Sequence, residues 1–266
     1  MKRVPLPLWL ISIFLYFFMY APIVVVIVFS FNTAKHGGPW MGFTTEWYAK
    51  LFDSPDKMAA TKNTLVLAVV STVIATALGT MLGYGLSRYW FPGKKLFSLL
   101  MYIPVVIPDI VMAVALLAFF KLLGDLVSWV SMGLMTMIIA HITFQIPFVA
   151  IVVRSRLVGM DPAIEEAAHD LGASTWQTFW NVTFPLLLPG VLAGAMLAFT
   201  LSLDDFVVSF FTTGPGATTL PILIYSSVKR GITPDINALS TLIVLASVAG
   251  TIGVTLLQRP RQPSGG

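Results

Sequence analysis

The chain has 266 residues, of which 57% are hydrophobic and only 11% are charged, with a formal net charge of +4. Soluble domains carry about 25% charged residues, so this composition excludes a water-facing surface around most of the chain and predicts an all-α integral membrane protein. The small net charge excludes the basic surface typical of a nucleic-acid-binding protein, and the absence of cysteine excludes disulfides and thiolate metal sites.

Six apolar runs predict six membrane-spanning helices, at residues 8–30, 65–86, 96–120, 134–153, 188–211 and 238–257. The first run follows Met1-Lys2-Arg3 and is longer than the core of a cleavable signal peptide, so we expect a retained helix. Each span is expected to be helical because an open strand would leave backbone groups without hydrogen bonds in lipid.

The distribution of basic residues predicts that both termini lie in the cytoplasm. An even number of spans places the termini on one side of the membrane, and nine Lys and Arg residues on that side lie close to helix ends. Four of the seven on the other side lie in one long loop that also contains acids. This orientation puts the long loop 154–187 in the cytoplasm, where a loop of this length is usually functional.

The first outer loop carries Trp47 and Tyr48 beside Glu46. The faces of aromatic rings attract ammonium groups, whereas Trp and Tyr at the membrane surface also commonly anchor a helix there. Contact with a substrate and anchoring therefore both remain open for these two residues.

The third predicted span contains Asp109, preceded by Pro104 and Pro108. Proline interrupts backbone hydrogen bonding in a spanning helix, and such breaks occur both on substrate paths and at simple packing kinks. A rise of about 1.5 Å per residue puts Asp109 roughly 20 Å from the start of its span. The acid is therefore expected in the outer half of an apolar layer about 30 Å thick.

The fourth predicted span contains His141 and Gln145, one helical turn apart. This polar pair predicts hydrogen bonding between helices, which we favour over a proton relay. The three histidines, His36, His141 and His169, lack metal-ligand spacing, and no nucleophile stands beside a base. The sequence therefore predicts no metal site and no catalytic residue.

The cytoplasmic loop has the residues that begin and end helices. Asp161 is a suitable N-cap, and Gly172 suits the left-handed residue that closes a helix. Ser174 and Gln177 have the spacing of a capping box, which predicts a second short helix ending before Pro185. The first helix has an alanine-rich face, which suits either a helix lying on the membrane or close docking of another surface.

Residues 166–185, EAAHDLGASTWQTFWNVTFP, resemble the EAA loop of ABC-importer permeases. The pattern is met by Glu166, Ala167, Ala168, Gly172, Val182, Phe184 and Pro185, although Ile and Leu are commoner at the two hydrophobic positions. The resemblance implies a type I ABC importer permease fold with cytoplasmic coupling helices. It also implies that this loop docks on a separate ATPase through Glu166, Ala167, Ala168, Asp170 and Gly172.

The chain has no phosphate-binding loop of the Walker A type. The resemblance therefore implies a non-catalytic permease subunit without a cofactor of its own, whose partner ATPase binds ATP and Mg.

The fifth predicted span contains two adjacent carboxylates, Asp204 and Asp205, with Ser202 nearby. A charge at mid-bilayer costs about 2.5–3.5 kcal/mol on insertion scales and usually has a partner. No Lys or Arg lies inside a predicted span. The acids are therefore protonated, reach external water, line a water-filled cavity or pair with a cation that the chain does not supply, and we favour the last two together. Adjacent helical residues point about 100° apart, so we expect one acid to face the path and the other a partner subunit.

The segments SFN, GFTTEWY, IPDIVMA, HITF, FTLSLDDFVVS and GPGATTLPILIYSSVKRGITPDINAL are similar to the second permease subunit of bacterial polyamine (spermidine/putrescine) importers. The resemblance implies one permease domain, 1–266, in the bacterial inner membrane. It also implies four partners: a related permease, two ATPase subunits and a periplasmic binding protein.

Together, the residues and the resemblance give the hypothesis of a path for polyamines. Its predicted members are Asp109, Asp204, Asp205, Ser202, Trp47 and Tyr48. The alternatives are a permease for another cationic or small solute and, less favoured, a carrier coupled to protons or cations.

Overall fold

The computed structural model describes residues 5–35, 38–127, 130–231 and 233–257, excluding the side chains of Arg230 and residues 250–257. Within these residues the chain is helical apart from its loops and one isolated bridge between Asn32 and Phe43. The all-α prediction is thus confirmed. Part of the charge pattern used for orientation, namely Lys2, Arg3, Arg259 and Arg261, lies outside the described residues, as does His36.

The helices in chain order are α1 (Leu6–Phe29), α2 (Glu46–Phe52), α3 (Pro55–Arg88), α4 (Lys94–Val106), α5 (Asp109–Leu126), α6 (Leu134–Val158), α7 (Ala163–Asp170), α8 (Thr175–Thr178), a π-helix (Phe179–Thr183), α9 (Phe184–Leu203), α10 (Val207–Thr212), α11 (Leu220–Arg230) and α12 (Pro234–Leu257).

Length and hydropathy identify four segments among the described residues that could each cross a membrane: α1, α3, α6 and the continuous segment Thr175–Leu203. The pair α4 and α5 makes a fifth if it is counted as one bent span, and the apolar part of α12 is shorter, Pro234–Ala249. The predicted number of six spans is therefore not reproduced, although a helix covers each of the six predicted regions at least in part.

The third predicted span, 96–120, is wrong as one continuous helix. It consists of α4 and α5, which meet at an angle of 107°. The residue between α4 and Pro108 is Ile107, whose backbone is extended with φ −68° and ψ 134°. A residue before proline is pushed out of the helical region, and proline itself has no N–H to donate. These two effects end α4 and let α5 begin at Asp109.

The fifth predicted span, 188–211, is also interrupted. Helix α9 ends at Leu203 and α10 begins at Val207. The side chain of Asp205 accepts hydrogen bonds from the backbone N–H groups of Val208 and Ser209. An aspartate that binds the backbone in this way competes with continuation of the helix.

The prediction that the second loop helix ends before Pro185 is wrong as well. The helical backbone continues from Thr175 through the π-helix into α9 without a break. Pro185 is the second residue of α9, and the wider π turn changes the hydrogen-bond register just before it.

The chain divides into two units: the described residues of Met1–Met58 with those of Leu223–Gly266, and Ala59–Ile222. In the first unit, α12 contacts α1 and α2. No residue of α1 is buried within the chain, so its apolar surface faces lipid or another subunit.

In the second unit, α6 is the central helix. Of its 18 most apolar consecutive residues, 56% are buried, against 39% for α3 and 33% for the segment that contains α9. Helix α3 approaches α6 through Gly79 and Gly83. Glycines four residues apart let membrane helices pack backbone against backbone. This close approach brings the polar side chains of α3, α6 and α9 within reach of one another.

The close approach gives a direct test at Gly83, where an added Cβ would lie 2.7 Å from the carbonyl oxygen of Ala150. Backbone cannot yield as a side chain can, so we expect Gly83→Ala to destabilise the protein by about 1–3 kcal/mol through overpacking. The measurement is the apparent thermal unfolding midpoint in detergent. The matched control is Gly85→Ala in the same helix, where the described residues leave the Cβ position open within 4 Å. Equal midpoints for the two variants would contradict the packing.

Candidate functional site

The break between α9 and α10 is held by one of its two acids. Asp205 accepts hydrogen bonds from the backbone N–H groups of Val208, at 3.2 Å, and Ser209, at 2.7 Å. These are free donors at the start of α10, where a carboxylate is favourable. Asp204 precedes this turn and its side chain is exposed. The two neighbouring acids therefore have different surroundings.

His141 on α6 contacts both sides of this break. Its Nδ1 lies 2.8 Å from the Ser202 hydroxyl, in the last turn of α9. Its Nε2 lies 3.0 Å from the Ser209 hydroxyl on α10 and 3.4 Å from the carboxylate of Asp205. The imidazole is completely buried, and the Asp205 side chain is 11% exposed. A buried imidazole with a partner at each nitrogen is a well-satisfied polar group.

Gln145, one turn further along α6, extends the same polar cluster. Its amide nitrogen donates to the Ser71 hydroxyl at 3.2 Å and to the Ala198 carbonyl at 3.0 Å. Ser71 in turn lies 3.3 Å from Ser202, oxygen to oxygen. Hydrogen bonds therefore join α3, α6, α9 and α10, which confirms the predicted interhelical role of His141 and Gln145.

One expectation from the sequence requires correction. The acids were expected to lack a basic partner within the spans, yet Asp205 has His141. The search of the predicted spans for basic residues considered only Lys and Arg, and no local spacing links His141 to Asp205. The two acids do point apart as expected, although the broken helix rather than helical rotation separates them. One faces inward and the other, Asp204, is exposed.

Asp109 and Asp204 are the two exposed acids of the predicted path. Asp109 is the first residue of α5, directly after the break at Pro108, and it is exposed like Asp204. Among the described residues neither carboxylate forms an ion pair. Each exposed acid thus stands beside an interruption in an apolar helix. The structure brings the other two members, Ser202 and Asp205, together at His141.

Trp47 and Tyr48 are bound to their own unit. The Trp47 indole donates to the Asn32 carbonyl at 2.7 Å, and the Lys50 ammonium lies 4.8 Å from the centre of its ring. The Tyr48 hydroxyl lies 2.6 Å from that of Ser30, at the end of α1. These contacts fix α2 against the end of α1, so both side chains already have partners within the chain.

The loop 154–187 has the limits of the first helix and the start of the second that the sequence predicts. Asp161 accepts a hydrogen bond from the backbone of Ala163 at 3.0 Å, and Gly172 is left-handed with φ +88°. Ser174 and Gln177 form the reciprocal hydrogen bonds of a capping box. Local side-chain chemistry therefore sets the bounds of α7 and the start of α8.

Most of the predicted docking residues are accessible. Glu166, Ala167, Asp170 and Gly172 are exposed and Ala168 is partly buried. Leu171 beside them is 90% exposed, which is unusual for a large apolar side chain outside the apolar layer. An exposed leucine among small and acidic residues suits an interface with another protein.

Glu165, which precedes the EAA sequence, has a role that the sequence did not reveal. Its carboxylate lies 3.1 Å from the Arg88 guanidinium and accepts a hydrogen bond from Thr183 at 2.9 Å. The side chains of Arg88 and Glu165 are only 18% and 16% exposed. The ion pair joins α7 to the end of α3, and the hydrogen bond joins it to the π-helix. In the sequence Glu165 is distinguished only by its place in the first turn of a helix.

Known proteins similar to this chain point to one family. Residues 75–262 match the family described as "Binding-protein-dependent transport system inner membrane component". The spermidine/putrescine transport system permease protein PotC of Shigella flexneri is 42% identical over 252 residues, covering 95% of this chain and 94% of that protein. The putrescine transport system permease protein PotI of Escherichia coli (strain K12) is 41% identical, covering 94% and 91%.

The fold has solved relatives. A crystal structure of a bacterial ABC transporter involved in the import of the acidic polysaccharide alginate matches with a TM-score of 0.74 over 98% of this chain and 96% of that one. The sequence identity is 21%, so this likeness concerns the fold alone.

The Arg88–Glu165 pair predicts that two neighbouring glutamates differ in their contribution to stability. Glu165→Gln leaves the largely buried Arg88 without its counter-charge, and we expect a loss of about 1–3 kcal/mol. The apparent unfolding midpoint in detergent should fall by about 2–4 °C for each kcal/mol. Glu166→Gln, a change at an exposed position, is the matched control and should stay within about 0.5 kcal/mol of the parent. An equal effect of both changes would argue against a stabilising ion pair between Arg88 and Glu165.

Proposed function

The chain belongs to the family of binding-protein-dependent transport system inner membrane components, and we propose that it forms, with a related permease subunit, the path by which polyamines are imported. Its fold is that of type I ABC importer permeases. Relatives named as spermidine/putrescine and putrescine permeases, at 42% and 41% identity over most of the chain, support the substrate class.

The observation that carries this proposal is the pair of exposed carboxylates, Asp109 and Asp204, each beside a break in an apolar helix. A charge in the apolar layer is costly unless it faces a water-filled cavity or a partner. A polyamine supplies ammonium groups separated along a flexible chain. Two separated carboxylates suit such a ligand better than they suit a single small cation.

Asp205 has a different part in this proposal. Its carboxylate is engaged with α10 and His141, so it supports the shape of the path rather than offering a free charge. Ser202 belongs to the same supporting cluster. The direct ligands that we propose are therefore Asp109 and Asp204.

Coupling to ATP is assigned to the loop 154–187. The exposed surface of Glu166, Ala167, Asp170, Leu171 and Gly172 would dock on an ATPase subunit. That subunit would bind and hydrolyse ATP with Mg, so this chain would need no cofactor. The basic residues near helix ends support a cytoplasmic loop and cytoplasmic termini, with a periplasmic binding protein delivering the substrate on the other side.

Neutralising the exposed acids tests the substrate path. We expect Asp109→Asn and Asp204→Asn each to lower the apparent affinity of polyamine uptake about 10- to 100-fold. This is the loss expected for one hydrogen bond to a charged group. The measurement is uptake of radiolabelled putrescine and spermidine by cells, normalised to the amount of assembled complex. The control is Asp53→Asn, at an exposed residue just after α2, which should transport normally. Normal uptake by both test variants would reject the proposed path.

Charge reversal on α7 tests the docking surface. We expect Glu166→Lys to reduce substrate-stimulated ATP hydrolysis of the reconstituted complex at least about tenfold, because the change reverses a charge within the proposed contact with the ATPase. Asp125→Lys, at an exposed residue near the end of α5, is the control and should hydrolyse ATP normally. Insertion is checked by the amount of each variant in the membrane. Normal coupling in Glu166→Lys would refute docking through this helix.

A further inference from the structure

The contacts of His141 place a hydrogen-bond donor at Nε2. An ionised carboxylate only accepts hydrogen bonds, and Nε2 of His141 faces the Asp205 carboxylate at 3.4 Å and the Ser209 hydroxyl at 3.0 Å. Nε2 therefore carries a hydrogen. Nδ1 forms a hydrogen bond with the Ser202 hydroxyl, at 2.8 Å. The imidazole thus has a partner at each ring nitrogen.

The position of these contacts in the chain matters as much as their chemistry. Ser202 lies in the last turn of α9 and Ser209 lies in α10. Asp205 lies between them, in the break. His141 thus binds the end of one helix, the start of the next and the connecting turn at once. The break has little freedom to rearrange while these hydrogen bonds persist.

Asp204 is the residue that this arrangement leaves exposed. It directly follows the end of α9 and directly precedes Asp205, so the contacts on either side hold the backbone from which its side chain projects. Its carboxylate takes part in none of the contacts of His141. Any effect of the imidazole on Asp204 therefore passes through the backbone of the turn.

We propose that His141 is a positioning residue for transport, which clamps the turn between α9 and α10 and so holds the Asp204 carboxylate in the orientation that binds an ammonium group. This inference rests on the proposed function, because it presupposes that Asp204 meets the substrate. A role confined to folding would alter the amount of complex. A positioning role also alters the apparent affinity for the substrate in the complex that does assemble.

The test compares two amides that reproduce different halves of the imidazole. In His141→Gln the amide nitrogen can occupy the place of Nε2 and still donate toward Asp205 and Ser209. In His141→Asn the shorter amide reaches only the place of Nδ1, near Ser202. Each variant is reconstituted as the full complex in proteoliposomes, and KM and Vmax for putrescine and spermidine uptake are measured per assembled complex.

We expect His141→Asn to raise KM about tenfold or more, with Vmax per assembled complex changed much less. His141→Gln should restore KM to within about threefold of the parent. Combined with Asp204→Asn, His141→Asn should raise KM no further, because both changes remove the same interaction. The control is Thr143→Ala, an exposed residue of α6 whose hydroxyl bonds only its own helix, which should leave KM and assembly unchanged.

Ser209→Ala keeps the test decisive if His141→Asn does not assemble. This change removes one hydroxyl beside Nε2 and adds no bulk. We expect a several-fold higher KM that disappears in the Asp204→Asn background. A normal KM in the assembled variants, or an effect that simply adds to that of Asp204→Asn, would overturn the inference.

The proposed function and this inference fail in different ways. Normal uptake by Asp204→Asn would reject Asp204 as a ligand and with it the premise. Uptake that depends on Asp204 but is indifferent to His141 and Ser209 would reject the positioning role alone.

Discussion

Every backbone group in an apolar layer needs a hydrogen-bond partner, and this constraint explains where the polar side chains of this chain lie. A continuous helix satisfies itself, but a broken one frees donors and acceptors that lipid cannot satisfy. At the break after Leu203 the carboxylate of Asp205 accepts from two backbone N–H groups of α10. At the other break, Pro108 directly precedes Asp109, and a proline has no backbone N–H that would need a partner. The acids and prolines are therefore part of the architecture of the two breaks.

The same constraint separates two roles for adjacent carboxylates. Asp205 is satisfied by the chain itself, through backbone N–H groups and His141, whereas Asp204 remains exposed at the turn that its neighbour stabilises. Building a rigid, internally satisfied group beside an accessible one is an effective way to hold a charge ready for a ligand. Close packing at Gly79 and Gly83 contributes, because it brings α3 near enough to α6 for Ser71 to join the polar cluster.

The exposed loop and the break are the two ends of one helical segment. Thr175–Leu203 is continuous over 29 residues, and a helix rises about 1.5 Å along its axis for each residue. At its start, α7 is held by the contacts of Glu165 with Arg88 and Thr183. At its end stand Ser202 and then Asp204. One continuous helical segment therefore connects the loop to the turn that carries the exposed acid.

The sequence alone determined the features that depend on local patterns. Composition gave the membrane class, and apolar runs gave the approximate helix positions. The capping residues Asp161, Gly172 and Ser174 gave the limits of α7 and the start of α8, since a cap acts within one turn of its own chain. The tertiary structure decided how the acids differ, because His141 and Ser202 are 61 residues apart in sequence and meet only when α6 packs on α9. It also decided the role of Glu165, whose partner Arg88 comes from another helix. Contacts of this kind require helices from distant parts of the chain to pack together, so no spacing along the sequence encodes them.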